Sequence, residues 1–287
     1  MTSHPLTQAP PRLPTAEELR SYRDDGFVVV RGLVPGPVLD AAERGMERFY
    51  AGDVDRPFPG RTSYDHNDWS PEDGDVLRQN EYTSRMVDEL ATLVEWPGIA
   101  AFAAALAGAA SMRLWEDQLL FKPPQPATTA DREPGSGNVG WHTDRQYWQG
   151  STSTEMLTCW VPFHDCDAAM GGVAFVPGSH RQLVDGLSFF DRDLSAIDAG
   201  TTVVPELARG DVTFHHCGTV HGSGPNRTGV PRRSMAIHLQ PADNRWAGGD
   251  DPVAAAVYHR NNELVRTVDG HPDYSDPRIC PVLWPRG

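Results

Sequence analysis

From Met112 onward the chain is cut into strand-length pieces, and that segmentation limits what it can fold into. MRLWEDQLLFK, VGWHTDRQYW, EMLTCWVPF, GGVAFVPG, TTVVPE, DVTFHHCGTVHG and RRSMAIHLQ follow one another, with Gly, Pro, Asn and Asp clustered between them. Short strands separated by turn residues bury their apolar faces by packing sheet on sheet or by closing into a barrel. The expected fold class is therefore mainly β, a jelly roll with N-terminal and flanking α-helices. The helices come first. Thr15 is placed to cap AEELRSYRDDG, with acidic residues in the first turn and Gly26 closing it. FVVVRGLV reads as a strand, and Pro35 and Pro37 open a second helix whose Leu39, Ala42, Met46 and Phe49 share one face. Helices are also expected over Val76–Glu95 and Pro97–Gly108.

Neither an internal repeat nor a linker divides the 287 residues, so one domain over 1–287 is expected. Within it, 1–14 reads as a disordered arm and the Pro/Gly-rich stretch 123–139 as a mobile loop. The N-terminus has no basic start followed by an apolar run, so no signal peptide is read and a cytoplasmic location is the default expectation. The apolar run Ile99–Ala110 falls well short of the roughly 20 residues that cross a bilayer and reads as a buried helix. Net charge is −14 with no basic stripe, which argues against nucleic acid and anionic membranes as partners. Cys159, Cys166, Cys217 and Cys280 lack CxxC spacing and read as reduced, buried thiols. Lys122 is the single lysine beside 24 arginines; a GC-rich genome accounts for the arginines but not for the one lysine kept.

Chemistry concentrates in VGWHTDRQYW. On a strand, His142 and Asp144 at i and i+2 would point to one face about 6 to 7 Å apart, able to share a metal ion. His221, in HGSGPN near the end of another expected strand, offers a third ligand. Two histidines and one carboxylate leave three coordination positions open, the arrangement of non-haem Fe(II) oxygenases. HxD alone is a common pattern, and a strand histidine bonded to a nearby carboxylate is its bland alternative. His215 and His216 in VTFHHC are rival ligands, since alternation turns one of them inward; His164, His180 and His238 read as structural.

The motifs YRDDGFVVVRGLVP, WHTD, CWVPF…GGVAFVPGSHR and GDVTFHH…HGSGPNR…PRRS stand in this order across residues 15 to 245. In that order they resemble the phytanoyl-CoA dioxygenase family, which includes ectoine hydroxylase and bacterial natural-product tailoring enzymes. The resemblance implies a double-stranded β-helix and a chemistry using Fe(II), O2 and 2-oxoglutarate, with decarboxylation to succinate and CO2. It places the metal triad on His142, Asp144 and His221. It places the co-substrate arginine eleven positions after His221, on Arg232, with Ser234 completing an Arg-x-Ser pair. A planar guanidinium grips a carboxylate bidentately, and alternation puts Arg232 and Ser234 on one face. Arg227 and Arg233 are the competing arginines. Trp160 matches a family aromatic that walls the co-substrate site, although core packing explains it too.

Gln118 and Lys122 lie on the strand that lines the active site in the family; Lys122 either helps hold a carboxylate or snorkels at the barrel mouth. Trp148 matches a substrate-contacting position of ectoine hydroxylase, with Arg145 and Gln146 beside it. Tyr64, Trp69 and Trp246 are further candidate pocket walls, with packing as the alternative. Retention of Asp144 argues against halogenation, because related halogenases replace this carboxylate with a small residue. The expected activity is oxidation, in the first place hydroxylation, of a small-molecule substrate such as a bacterial secondary metabolite. Epimerisation, desaturation and ring closure are alternative outcomes. A catalytically inactive jelly-roll binding protein and a cupin-like metalloenzyme without 2-oxoglutarate are the rival readings. The expected assembly is a monomer or homodimer.

Overall fold

The computed structural model describes residues 10–60, 69, 71–125, 139–182, 201–248 and 259–285. Most of the expected arm, residues 126–138 of the expected loop, and Tyr64 lie outside them. Helix α1 (Ala16–Asp25) carries the full capping box: the Glu18 amide donates to Thr15 Oγ1 at 3.2 Å, and the Thr15 amide to the Glu18 carboxylate at 2.8 Å. Gly26 closes it with φ 81°, where a β-carbon would strike the His180 and Thr219 side chains. Strand β1 (Phe27–Val30) and helix α2 (Gly36–Tyr50) follow as expected, with Leu39, Ala42 and Met46 buried on one face of α2.

Of the stretch expected to be helical over Val76–Glu95, the second half holds helix α3 (Asp88–Val94), whereas the first half is strand β2 (Arg78–Glu81) followed by a tight turn. The polar RQNE pairs with β3 (Met112–Lys122) from Arg78↔Phe121 to Glu81↔Gln118, so a sheet edge overrides the local helical tendency. Helix α4 (Pro97–Leu106) continues from α3 as an apolar stretch, but Pro97 divides the two and both pack into the core.

Strands β4 (Val139–His142), β5 (Leu157–Pro162), β6 (Val173–Phe175), β7 (Val212–His216), β8 (His221–Ser223) and β9 (Arg232–Pro241) complete the scaffold. A short helix α5 (Asn261–Leu264), the hairpin β10 (Thr267–Val268) and β11 (His271–Pro272), and β12 (Val282–Trp284) follow. The larger sheet runs β1-β7-β5-β9-β3-β12 with β2 on β3; the smaller runs β4-β8-β6, and the strands pair antiparallel throughout. This is the double-stranded β-helix with flanking helices that was expected. Two strand readings are corrected. TTVVPE forms only an isolated bridge, Phe175↔Val203, because Pro205 interrupts its run. VGWHTDRQYW stops being a strand at His142, and Asp144–Gln146 form a 3-10 turn. The Gln146 side chain accepts the Thr143 amide at 3.2 Å, and a side chain that satisfies a backbone donor locally removes it from the ladder.

Alternation then sorts the larger sheet into two chemically distinct faces. Leu157, Cys159 and Val161 of β5, Val212 and Phe214 of β7, and Met235, Ile237 and Leu239 of β9 pack in one cluster with α2, α3 and α4. The intervening residues Thr158, Trp160, His215, Arg232, Ala236 and His238 line a cavity shared with the smaller sheet.

Candidate metal centre

Strands β4 and β8 place His142 and His221 in register, with ring centroids 4.2 Å apart. Each Nδ1 is bonded to a backbone carbonyl two residues upstream: His142 to Gly140 O at 2.8 Å, His221 to Thr219 O at 3.0 Å. A carbonyl only accepts, so both rings carry the proton on Nδ1 and present an Nε2 lone pair. Asp144 joins them from the turn. Its Oδ2 accepts the Thr158 hydroxyl at 2.6 Å and lies 3.3 Å from His215 Nε2, while Oδ1 lies 3.6 Å from His221 Nε2. One donor atom from each of His142, Asp144 and His221 lies within 4.8 Å of the others.

The electrostatics match a cation. Burial, with His221 beside it, pushes His142 down to about 4; burial, with His215 beside it, does the same to His221. Burial would raise the Asp144 carboxyl, but His221 and His215 beside it prevail and hold it well below the usual range. Neutral imidazoles next to an ionised carboxylate are the protonation states that metal ligation requires. Two nitrogens and one oxygen, with their remaining polar atoms already fixed by backbone and hydroxyl partners, fit Fe(II).

His215, the inward member of its pair, stands behind Asp144 rather than in the donor set. His216 faces the other way, accepting the Gly218 amide at 3.0 Å. His164 accepts the Arg233 amide, His180 bonds Arg23 O, and His238 Nδ1 meets the Thr158 hydroxyl at 2.7 Å, so these three have structural partners as expected.

At the other end of the cavity Arg232 is buried, its guanidinium 5.4 Å from the centroid of Trp160. One amino group donates to Gly171 O, while Nε has no partner and no carboxylate pairs with it among the described residues. Burial pushes the guanidinium down to about 10. Ser234 Oγ and Trp160 Nε1 are likewise buried without partners. Three unsatisfied polar groups on adjacent strands are a cradle that a carboxylate would complete. Of the rival arginines, Arg233 faces the helix layer, 3.8 Å from Glu43, and Arg227 is exposed in a turn.

Gln118 lines the cavity, whereas Lys122 is fully buried against β8. The expected substrate residues beyond Asp144 are placed elsewhere. Had the strand continued, Gln146 and Trp148 would share the face of Asp144; the 3-10 turn diverts them. Trp148 is buried against Trp115 and under His238, and Arg145 donates to the carbonyls of Ser151 and Ser153. Gln146 caps Thr143, and Trp246 packs on Gly150 and Tyr274. Trp69 lies 3.6 Å over the Arg78 guanidinium, on the far side of β2. Leu77, Gln79, Val139, Thr158 and Val173 line the cavity without having been singled out from sequence. Thr158 shared the alternation of Trp160 and was open to detection; Leu77 and Gln79 were hidden by the helical reading of their segment.

The phytanoyl-CoA dioxygenase (PhyH) family model matches residues 22–234. A probable alpha-ketoglutarate-dependent hypophosphite dioxygenase of Stutzerimonas stutzeri is 25% identical over 79% of this chain and 79% of its own. The peroxisomal phytanoyl-CoA dioxygenase of Mus musculus is 23% identical over 80% and 69%. Among solved structures, the non-heme alpha ketoglutarate dependent epimerase SnoN from nogalamycin biosynthesis superposes with TM-score 0.64 at 26% identity, covering 90% of this chain and 94% of that one. EctD from S. alaskensis, holding 2-oxoglutarate and 5-hydroxyectoine, superposes with TM-score 0.63 at 19% identity over 81% and 78%, a likeness of fold. With the family model covering most of the sheet scaffold and all three candidate ligands, this chain belongs to the phytanoyl-CoA dioxygenase family.

Proposed function

We propose that the chain is an Fe(II)- and 2-oxoglutarate-dependent oxygenase that hydroxylates a compact, uncharged small molecule. The observation that carries this reading is the pairing of two groups in one cavity: the His142/Asp144/His221 donor set, and the partnerless Arg232 Nε with Trp160, next to which Ser234 Oγ is buried on the same strand as Arg232. A binding module without catalysis has no use for both. His142 and His221 Nε2 with Asp144 Oδ1 would hold the metal, and Arg232 with Ser234 the distal carboxylate of the co-substrate. Bound there, the metal and co-substrate supply the activation of O2 that oxidises a C–H bond.

The protein's share is placement. The Gly140 and Thr219 carbonyls fix the ligand tautomers, and Leu77, Leu120, Val139 and Val173 give the cavity an apolar wall. That wall, joined by the carboxamides of Gln79 and Gln118, supports a substrate with neutral hydrogen-bonding groups. Likeness to SnoN supports epimerisation as the alternative outcome, since it too begins at a C–H bond. Anaerobic addition of Fe(II) and 2-oxoglutarate is expected to give a visible charge-transfer band that His142→Ala abolishes. Its absence from the intact protein would overturn the reading.

A further inference from the structure

The loop that joins β4 to β5 starts at one side of a contact and ends at the other. Asp144 opens it, and Thr158, whose hydroxyl holds Asp144 Oδ2 at 2.6 Å, stands on β5 just beyond it. Inside the loop lies Arg145, which is buried. Its Nη1 donates to the carbonyls of Ser151 and Ser153, each at 3.1 Å, and to that of Trp148 at 3.4 Å. Loop carbonyls have no strand ladder to pair with, and one guanidinium nitrogen here serves three of them. The chain is closed around its own side chain.

The far side of the loop is pinned from outside. The Ser153 amide donates to Asn244 Oδ1 at 3.0 Å, and Asn244 Nδ2 donates to Gln240 Oε1 of β9 at 2.8 Å. The Thr152 amide donates to Arg245 O, and the Arg245 amide to Thr152 Oγ1, both at 2.9 Å. Residues 151–153 thus give the guanidinium a fixed anchor. On the near side the Arg145 amide donates to Cys217 O at 2.9 Å, immediately after β7, whose His215 Nε2 stands 3.3 Å from Asp144 Oδ2. Asp144 is the next residue along the chain, its Cα about 3.8 Å away, so whatever fixes Arg145 fixes the backbone that presents the carboxylate.

We propose that Arg145 is a positioning residue. Its guanidinium closes the β4–β5 loop and thereby holds Asp144 against Thr158, in the orientation that leaves Oδ1 toward His221. This rests on the metal reading of His142, Asp144 and His221.

The test is titration of the metal-free protein with Mn(II) alone, read by loss of the free-ion EPR signal. Arg145→Met keeps an unbranched side chain and removes every donor. It is expected to weaken Mn(II) binding at least tenfold, the lower end of the usual effect of losing a group that orients a ligand. Arg145→Lys offers one amine in place of the planar fork and is expected to lose less, about threefold. Thr158→Val supplies the second arm. Because Arg145 acts through the contact between Asp144 and Thr158, the variant carrying both Arg145→Met and Thr158→Val is expected to bind little worse than the weaker of the two single variants. Losses that add in full would mean that Arg145 supports the fold at large, and would overturn the proposal. Unchanged Mn(II) affinity in Arg145→Met would overturn it too. If Arg145→Met does not fold, Arg145→Lys takes its place in the same cycle: weaker binding that does not add to the Thr158→Val loss supports the proposal, and unchanged or fully additive binding overturns it. Wild-type protein that binds no Mn(II) would sink the metal reading itself, an outcome distinct from wild-type binding left unaltered by the variants.

Discussion

Thr158 illustrates how a small side chain selects one oxygen of a carboxylate. Its hydroxyl donates to Asp144 Oδ2, so its lone pair faces His238 Nδ1, which must carry the proton. With Oδ2 held this way, Oδ1 is left facing His221 Nε2. Thr158→Val keeps the shape and removes the hydroxyl; metal affinity is expected to fall about 10- to 100-fold, the usual effect of losing a group that orients a ligand. A Mn(II) titration unchanged by the substitution would remove Thr158 from this role. The clustering of His142, Asp144 and His221 and the inward placement of Arg232 were legible in sequence, because spacing and family motifs single these residues out and strand alternation separates Arg232 from Arg233. Gln146 and Trp148 were misread for a definable reason: one side-chain cap, from Gln146 to the Thr143 amide, ends the strand two residues before Asp144.

At the scale of elements, strands with an apolar face on helices and a polar face on the cavity were the readable part. DVTFHH shows both outcomes at adjacent positions, with Phe214 stacked on Phe102 at 5.1 Å and His215 turned toward Asp144. Phe214→Ala should therefore lower stability by roughly 3–5 kcal/mol, the range for truncating a buried aromatic, while the folded fraction keeps its metal affinity. Urea unfolding monitored with and without Mn(II) checks both halves, and a large loss of affinity would show that the two faces are not independent. Strand β2 was not readable, since RQNE has neither β-branched residues nor an apolar alternation. Only its partner β3 makes it a strand, and that pairing is a long-range contact that local pattern does not encode. The capping box of α1 is the opposite case, fixed within four residues of sequence.

For the whole molecule, buried histidines, His142, His215 and His221 in the cavity and His216 outside it, make the metal-free fold sensitive to acid. His142, His216 and His221 are each pushed down to about 4, chiefly by burial, and His215 is lowered as well. The unfolded chain takes up protons on these rings near 6.5, whereas the folded chain resists until about 4. The unfolded state thus binds more protons throughout that window, and stability falls as pH drops from 6.5 toward 4. At pH 5 each ring held at 4 forfeits roughly 2 kcal/mol, since one pKa unit is about 1.4 kcal/mol. Several such rings together remove a large share of the roughly 5–15 kcal/mol that holds a typical domain folded. The metal-free protein is therefore expected to melt well below its pH 7 midpoint at pH 5, before most carboxylates protonate. His216→Gln, which lies outside the metal donor set, should flatten part of that dependence. A thermal midpoint that stays level between pH 7 and pH 5 would mean that these histidines are solvated in the folded protein.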